Sequence, residues 1–458
     1  MVICSVRRFA LVLMSVLASG VHDLSAASWA HTVGAVGVTD TAADMELTAD
    51  GGCILAGRTS GQGRDGLLVK ISSRGKIQWQ KSYRGRKDDS FDAVVQTSEG
   101  GFFAAGDTDT SSQGAEDFWC VKTGSSGKIS WQRNYGGAAE DLVTDALQTS
   151  DGGYLVVGTT RSFGAGGRDA WCLRLDASGN IIWQKAIGGP ADDSATSIAP
   201  AADGGYVIAG RLDKTLWVFK LDPAGALVWD FVYGTASVDL SAAIARTADG
   251  GFVVGSVAPP TGQLYPLGVW LLRLDAAGGV LWQKRFQEYS VVTSISPSVR
   301  SLVETADGSI LISGAITVST VGYYSSLAFY RRIDASGILL WQRSFSGARG
   351  LEAHSAESIR ELTGGDLLVG GHTSAKGGPG DAMIFRVPGA GGYPGECDHF
   401  SVSAATIADH TAGALPASAS VTATTAVAVA AKPRAHKSEL KTRDLCTAQP
   451  LITADGLR

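Results

Sequence analysis

Leu173-Arg174-Leu175-Asp176-Ala177-Ser178-Gly179-Asn180-Ile181-Ile182-Trp183-Gln184-Lys185 reads as two apolar runs joined by a four-residue turn. Each run is too short for a stable helix and suits a strand. The second run ends in a tryptophan that recurs along the chain in the same setting, at Trp79, Trp131, Trp183, Trp229, Trp282 and Trp341. Successive gaps are 52, 52, 46, 53 and 59 residues. A tight turn lies upstream each time: Asp50-Gly51-Gly52, Glu99-Gly100-Gly101, Asp151-Gly152-Gly153, Asp203-Gly204-Gly205, Asp249-Gly250-Gly251 and Asp307-Gly308, with Gly364-Gly365-Asp366 as a seventh. Seven turns therefore face six tryptophan strands. The missing strand stands at the other end of the chain, at Ser28-Trp29-Ala30-His31, 50 residues before Trp79.

A β-type period near 50 residues means a propeller or a solenoid. A last repeat completed by the N-terminus favours a closed ring, since an open solenoid has no need of a split repeat. Within one repeat, Asp141 to Thr149 reads as a first strand and Ser150-Asp151-Gly152-Gly153 as a hairpin turn. Tyr154 to Thr160, Asp169 to Asp176 and Ile181 to Ala186 follow as three more strands. Four antiparallel strands repeated seven times give an all-β, seven-bladed β-propeller over residues 28–388. The N-terminal strand should pair beside Asp381 to Arg386 and close the ring.

The flanks differ from the ring. Arg7 and Arg8 precede an apolar run from Phe9 to Val21, and Ser25-Ala26-Ala27 offers small residues for cleavage. Residues 1–27 thus read as an export signal, too short to span a bilayer. That places the mature chain in the periplasm, outside the cell or on its surface, with no transmembrane segment. Net charge is -5 with no basic run, which argues against nucleic acid as a partner. Residues 389–458 form a tail rich in Ala, Thr and Ser, equally readable as a loop or as weak strands. Cys397 and Cys446 both lie in it. Cys120 and Cys172 occupy equal places in adjacent repeats, too far apart to bond, so Cys397–Cys446 is the natural pair in an oxidising compartment.

Three sets of recurring residues invite a role. Trp119, Trp171, Trp217 and Trp270 sit on third strands and read as fillers between blades, with sugar stacking as the alternative. Lys70, Lys122, Arg174, Lys220, Arg273, Arg332 and Arg386 recur on the same strands, as one ion pair per blade or as a cationic channel. Asp40, Asp89, Asp141, Asp193 and Asp239 stand ten residues before the hairpin turn, with Pro297 and His354 in the other two places. As openers of the innermost strands they should lie near the axis, either capping turns or, with His354, forming a binding ring that attracts Ca²⁺. Asp65, Asp117, Asp169 and Asp381 open third strands and read as turn residues. No calcium loop, phosphate loop or zinc-protease motif occurs.

The phrase from Leu173 to Lys185 resembles the repeat of exported bacterial β-propeller proteins over about residues 28 to 388. It is also similar to the tryptophan-docking repeat of pyrroloquinoline-quinone dehydrogenases and of related outer-membrane assembly scaffolds. The quinoprotein resemblance implies a Ca²⁺ site and a vicinal cysteine pair near the cofactor; the sequence has no adjacent cysteines. The expected function is that of an exported, non-catalytic, monomeric scaffold binding a protein or glycan partner through its disc-face loops. The alternative is a periplasmic enzyme, a quinoprotein-like dehydrogenase or a carbohydrate-active hydrolase, using the carboxylates at the channel mouth.

Overall fold

The computed structural model describes residues 29–34, 38–60, 63–85, 87–109, 115–234, 241–258, 267–288, 294–320, 323–345, 353–374 and 380–390, with seven short strands between 400 and 444. Residues 1–27, expected as an export signal, lie outside the described residues, as do Asp239, Cys397, Cys446 and the side chain of His354. Seven four-stranded antiparallel sheets follow one another along the chain. Blade three is built from Asp141–Gln148, Tyr154–Thr160, Asp169–Leu175 and Ile181–Gly188. No described helix is long and apolar enough to cross a membrane.

Blade seven takes Ala353–Glu361, Leu367–Ser374 and Gly380–Val387 from the end of the ring and Trp29–Gly34 from its start. Trp29 pairs with Arg386 and Val33 with Ala382, so the split repeat is made whole. Ala30 and Val33 are buried by this pairing. The ring thus uses main-chain hydrogen bonds between its two ends in place of an exposed sheet edge.

The tail supplies more than a loop. Each blade gains a fifth, antiparallel strand from it, in reverse blade order. Phe400–Val402 pairs on blade six, Ala405–Asp409 on blade five, and so on back to Arg434–Lys437 on blade one. Lys441–Asp444 then pairs with the closing strand. These strands cover the second half of each fourth strand, as Lys185 to Gly188 on blade three. Small and β-branched residues, which set no helical period, allow such edge pairing.

The core lies between blades. Trp119, Trp171 and Trp217 are fully buried and Trp270 nearly so, with Leu67, Phe329 and Met383 buried at the equivalent places. Trp171 packs against Phe118 of the preceding blade, ring centroids 4.4 Å apart, and against Phe163 of its own. Core packing, not sugar stacking, occupies these rings.

Four of the fourth-strand tryptophans do a different job. Trp79 Nε1 donates to Ser125 O at 3.0 Å, Trp131 to Ala177 O at 3.1 Å, Trp183 to Pro223 O at 3.1 Å and Trp282 to Ala335 O at 3.0 Å. Each acceptor sits in the turn between third and fourth strands of the next blade. Gly179 in that turn has φ +79°, and a Cβ on it would stand 2.9 Å from the Trp131 ring. Glycine is required twice over, for the left-handed backbone and for the close approach. Gly179→Ala should therefore destabilise the protein by about 1–3 kcal/mol, read by urea unfolding. A change below a few tenths would show that the turn yields freely.

Candidate functional site

The seven recurrent cations are each tied to a turn. Lys70 meets Asp50 at 3.0 Å, Lys122 meets Glu99 at 2.9 Å, Arg174 meets Asp151 at 2.6 Å and Lys220 meets Asp203 at 2.5 Å. Arg273 meets Asp249 at 2.5 Å, Arg332 meets Asp307 at 2.9 Å and Arg386 meets Asp366 at 2.9 Å. The cation comes from the third strand and the acid from the hairpin between first and second strands. Register explains the recurrence: Arg174 lies opposite Leu155, beside the turn at Asp151. One ion pair per blade is the outcome, and no cationic channel forms from these residues. Hydrogen bonds from Thr149, Gly153 and Arg174 hold Asp151 down at about 2, and Thr247 with Arg273 does the same for Asp249.

The axial channel is lined instead by the first strands of all seven blades, which enclose a cavity of about 450 Å³. Its charged lining includes Asp44, Glu46, Asp92, Asp145, Glu357 and Arg360. The first strands of five blades carry a bulge, as between Val143 and Asp145, that turns side chains toward the axis. Asp145 accepts hydrogen bonds from the Ile198 amide at 2.9 Å and the Ser197 hydroxyl at 3.1 Å. Asp44 accepts from the Val94 amide at 3.0 Å in the same way. Each carboxylate staples its blade to the next. Where blade two has Ala93 at this place, Asp107 does the stapling, accepting from the Val143 amide at 2.7 Å.

Arg360 closes the circle of staples. Its Nε lies 3.2 Å from Glu46 Oε2 and its Nη1 donates to Ser301 and Ser358. Burial pushes Asp145 up to about 7 and Asp92 up to about 6, the latter against the hydroxyl of Ser90 and the nearby charge of Arg58. Their folded-state values exceed the unfolded ones, so the folded protein holds more protons in this range. Stability should fall as the pH rises from about 4 to about 7, then level off. Thermal midpoints between pH 4 and 8 check this; a flat profile would contradict it.

The structure brings the aspartates that open first strands together with those that open third strands, in pairs at blade junctions. They are absent from the described lining of the channel. The Asp89 amide donates to Arg64 O at 2.8 Å, that of Asp141 to Glu116 O at 2.8 Å and that of Asp193 to Arg168 O at 2.6 Å. These bonds set Asp89 beside Asp65, Asp141 beside Asp117 and Asp193 beside Asp169. A Cβ on Gly188 would stand within 2.6 Å of both Asp169 Oδ1 and Asp193 Oδ2. One on Gly136 would stand within 2.9 Å of Asp117 Oδ1 and Asp141 Oδ2.

Asp40, Asp89, Asp117, Asp141, Asp169 and Asp193 are all buried. Asp141 Oδ2 accepts from the Gly137 amide and the Ser162 hydroxyl. Asp193 accepts from Gly189 and from Asp213, whose own backbone is left-handed at φ 53°. Burial raises Asp89 to about 6 and also raises Asp169 and Asp193. His354 sits in its strand opposite Thr373, and Pro297 opposite Ile316. Among the described residues no three His, Cys, Asp or Glu side chains converge as a metal-binding group.

Asp44, Asp145, Glu46 and Arg360 were not singled out from sequence. The available signal was the Asp-x-x-x-Asp spacing shared by Asp40 with Asp44 and Asp141 with Asp145.

One surface feature breaks the sevenfold repeat. In blades one to six the residue before the fourth-strand tryptophan is the extra residue of a bulge: Arg174 pairs with Trp183 and Leu175 with Ile181, which leaves Ile182 unpaired and turned outward. Blades three to six carry Ile182, Val228, Leu281 and Leu340 there, all between 52% and 58% exposed. Blades one and two carry exposed Gln78 and Ser130.

Among solved structures the chain is similar in fold to polysaccharide lyase Uly1 (9% identity, TM-score 0.46, 76% of this chain and 90% of that one). It is likewise similar to Sqt1 from Chaetomium thermophilum (11%, 0.42, 78% and 99%) and to Drosophila Semaphorin 1b extracellular domains 1-2 (10%, 0.40, 79% and 86%). No curated protein matches the sequence. The family model of the outer membrane protein assembly factor BamB matches residues 64–363, which hold the docking tryptophans Trp79 to Trp282 and five of the seven turn-bound ion pairs, and the chain belongs to that family.

Proposed function

We propose that the protein is an exported, non-catalytic scaffold of the cell envelope that holds a protein partner on one sector of its disc. The observation that carries this reading is the arc of Ile182, Val228, Leu281 and Leu340 on four consecutive blades, with Ile338 beside the last. Exposed aliphatic side chains set in a row mark a protein-binding surface more often than a glycan site, where polar groups and aromatic faces dominate. The family's description as an assembly factor for outer membrane proteins supports a protein partner and an envelope location. The apolar run after Arg7 and Arg8 supports export.

A photoreactive side chain placed at Leu281 or Leu340 should give adducts with an envelope protein in cells, and one at Ser130 should not. Equal labelling at Leu281 and Ser130, or none at either, would contradict the reading. Within the same proposal, Cys397 and Cys446 form a disulfide that ties the tail to the ring. The strands nearest to them, Phe400–Val402 and Lys441–Asp444, pair on neighbouring blades six and seven. Peptide mapping without reductant should recover the linked pair from exported protein; two free thiols would refute it.

A second reading, a periplasmic enzyme, draws on the channel, where Asp92 and Asp145 are raised by burial into the range of a general acid or base. A turnover lost in Asp145→Asn with the melt unchanged would support it over the scaffold.

A further inference from the structure

The aspartate pairs between blades differ from the turn carboxylates, which are largely exposed and each paired with a cation. Each turn carboxylate has a lysine or arginine against it. Among the described residues no lysine or arginine forms an ion pair with Asp89, Asp141, Asp169 or Asp193. Buried carboxylates are expected to be paired with a cation or to bind one. In the third junction Asp169 is 1% exposed, and its Oδ1 has no hydrogen-bond partner. That oxygen points to the bare Cα of Gly188, where Asp193 Oδ2 also lies. Asp141 Oδ1, fully buried in the second junction, likewise has no hydrogen-bond partner. Main-chain amides from Ala165, Gly189 and Asp213 already occupy the other oxygens of the Asp169–Asp193 pair.

The sequence treats each pair as a unit. Third strands open on Asp65, Asp117, Asp169 and Asp381, and the next blade's first strand opens on Asp89, Asp141, Asp193 and Asp40 respectively. At the other three junctions the two places hold Thr215 with Asp239, Gly268 with Pro297 and Leu327 with His354. Turn capping by a single aspartate gives no reason for the two positions to go together. A shared ligand does.

We propose that these aspartate pairs are binding sites for a hard divalent cation of the Ca²⁺ class, held between neighbouring blades. The cation bridges one oxygen from each aspartate, and water with main-chain carbonyls completes its oxygen shell. With two carboxylates per site, affinity falls in the weak extracellular range, about 10⁻⁴–10⁻³ M, which suits a protein that meets such ions after export. This site is independent of the partner-binding arc and stands or falls separately.

Terbium luminescence tests it, because Trp171 lies two residues from Asp169 and can sensitise a bound ion. At neutral pH the full chain should show saturable terbium emission that excess Ca²⁺ displaces. Asp169→Asn and Asp193→Asn should each lower the ion stoichiometry by one per chain, whereas Asp203→Asn, which breaks only a turn ion pair, should leave it unchanged. Ca²⁺ should also raise the melting midpoint of the unaltered protein relative to chelator, a readout that stands if a variant fails to fold. Absent emission with no Ca²⁺ effect on the melt would overturn the inference, as would stoichiometry unaltered in both aspartate variants. A rise in midpoint for Asp169→Asn without any Ca²⁺ effect would assign the pair a shared proton instead, which overturns it equally.

Discussion

Removing residues 29–34 is expected to abolish cooperative unfolding of the whole ring. In an open array the loss of a terminal strand frays one end and leaves the remaining repeats folded. Here Trp29–Gly34 is the fourth strand of blade seven, paired with Gly380–Val387. Its loss exposes the edge of blade seven and uncovers the interface with blade one. That interface is one apolar cluster in which Val33 and Ile384 from blade seven pack with Met45, Leu55 and Val69 from blade one. The seventh junction would open, and each remaining blade would lose the circular constraint that fixes its neighbours. The expected result is a broad, low-temperature melt with early binding of a hydrophobic dye. A single sharp transition only a few degrees below that of the intact protein would show that the blades stand without closure.

The second large effect concerns the wedge between blades. Trp171 is fully buried among Phe118, Phe163 and residues of blades two and three. Trp171→Ala should cost about 3–5 kcal/mol, the usual range for deleting a buried large aromatic. Trp183, half-buried in its fourth strand and docked on the turn of blade four, should cost less on the same substitution. Urea unfolding of the two variants side by side reads the difference. Equal losses would mean that docking at the rim contributes as much as packing at the junction.

These effects show what the sequence made legible. Blade number, strand order and the split repeat all follow from the spacing of Trp79, Trp131 and their successors, because a repeat imposes the same period on every element it builds. The ion pairs were half visible: seven cations at one position implied a common task, but their acids lie some 20 residues away, across a hairpin. The tail was not readable, since strands such as Ala414–Pro416 and Val429–Ala430 owe their pairing to an edge that other residues provide. The aspartate pairs were hidden for a related reason. Asp169 and Asp193 lie 24 residues apart in different blades, and only the junction between blades brings them together. The exposed aliphatic arc had a signal in Ile182, Val228, Leu281 and Leu340, yet its meaning depended on the bulge that turns those side chains outward.

The closed seven-bladed ring underlies the channel, the aspartate pairs and the arc alike, so its closure merits the most direct measurement. Paired cysteines at Thr32 with Met383, and separately at Val33 with Ala382, sit on facing positions of the closing strand. One of the two pairs is the closer, non-hydrogen-bonded kind that accepts a disulfide without strain. On mild oxidation of folded protein, peptide mapping should recover a cross-link between the N-terminal strand and residues near 383 in one of the two variants. Free cysteines in both, with the protein folded, would contradict the closed ring.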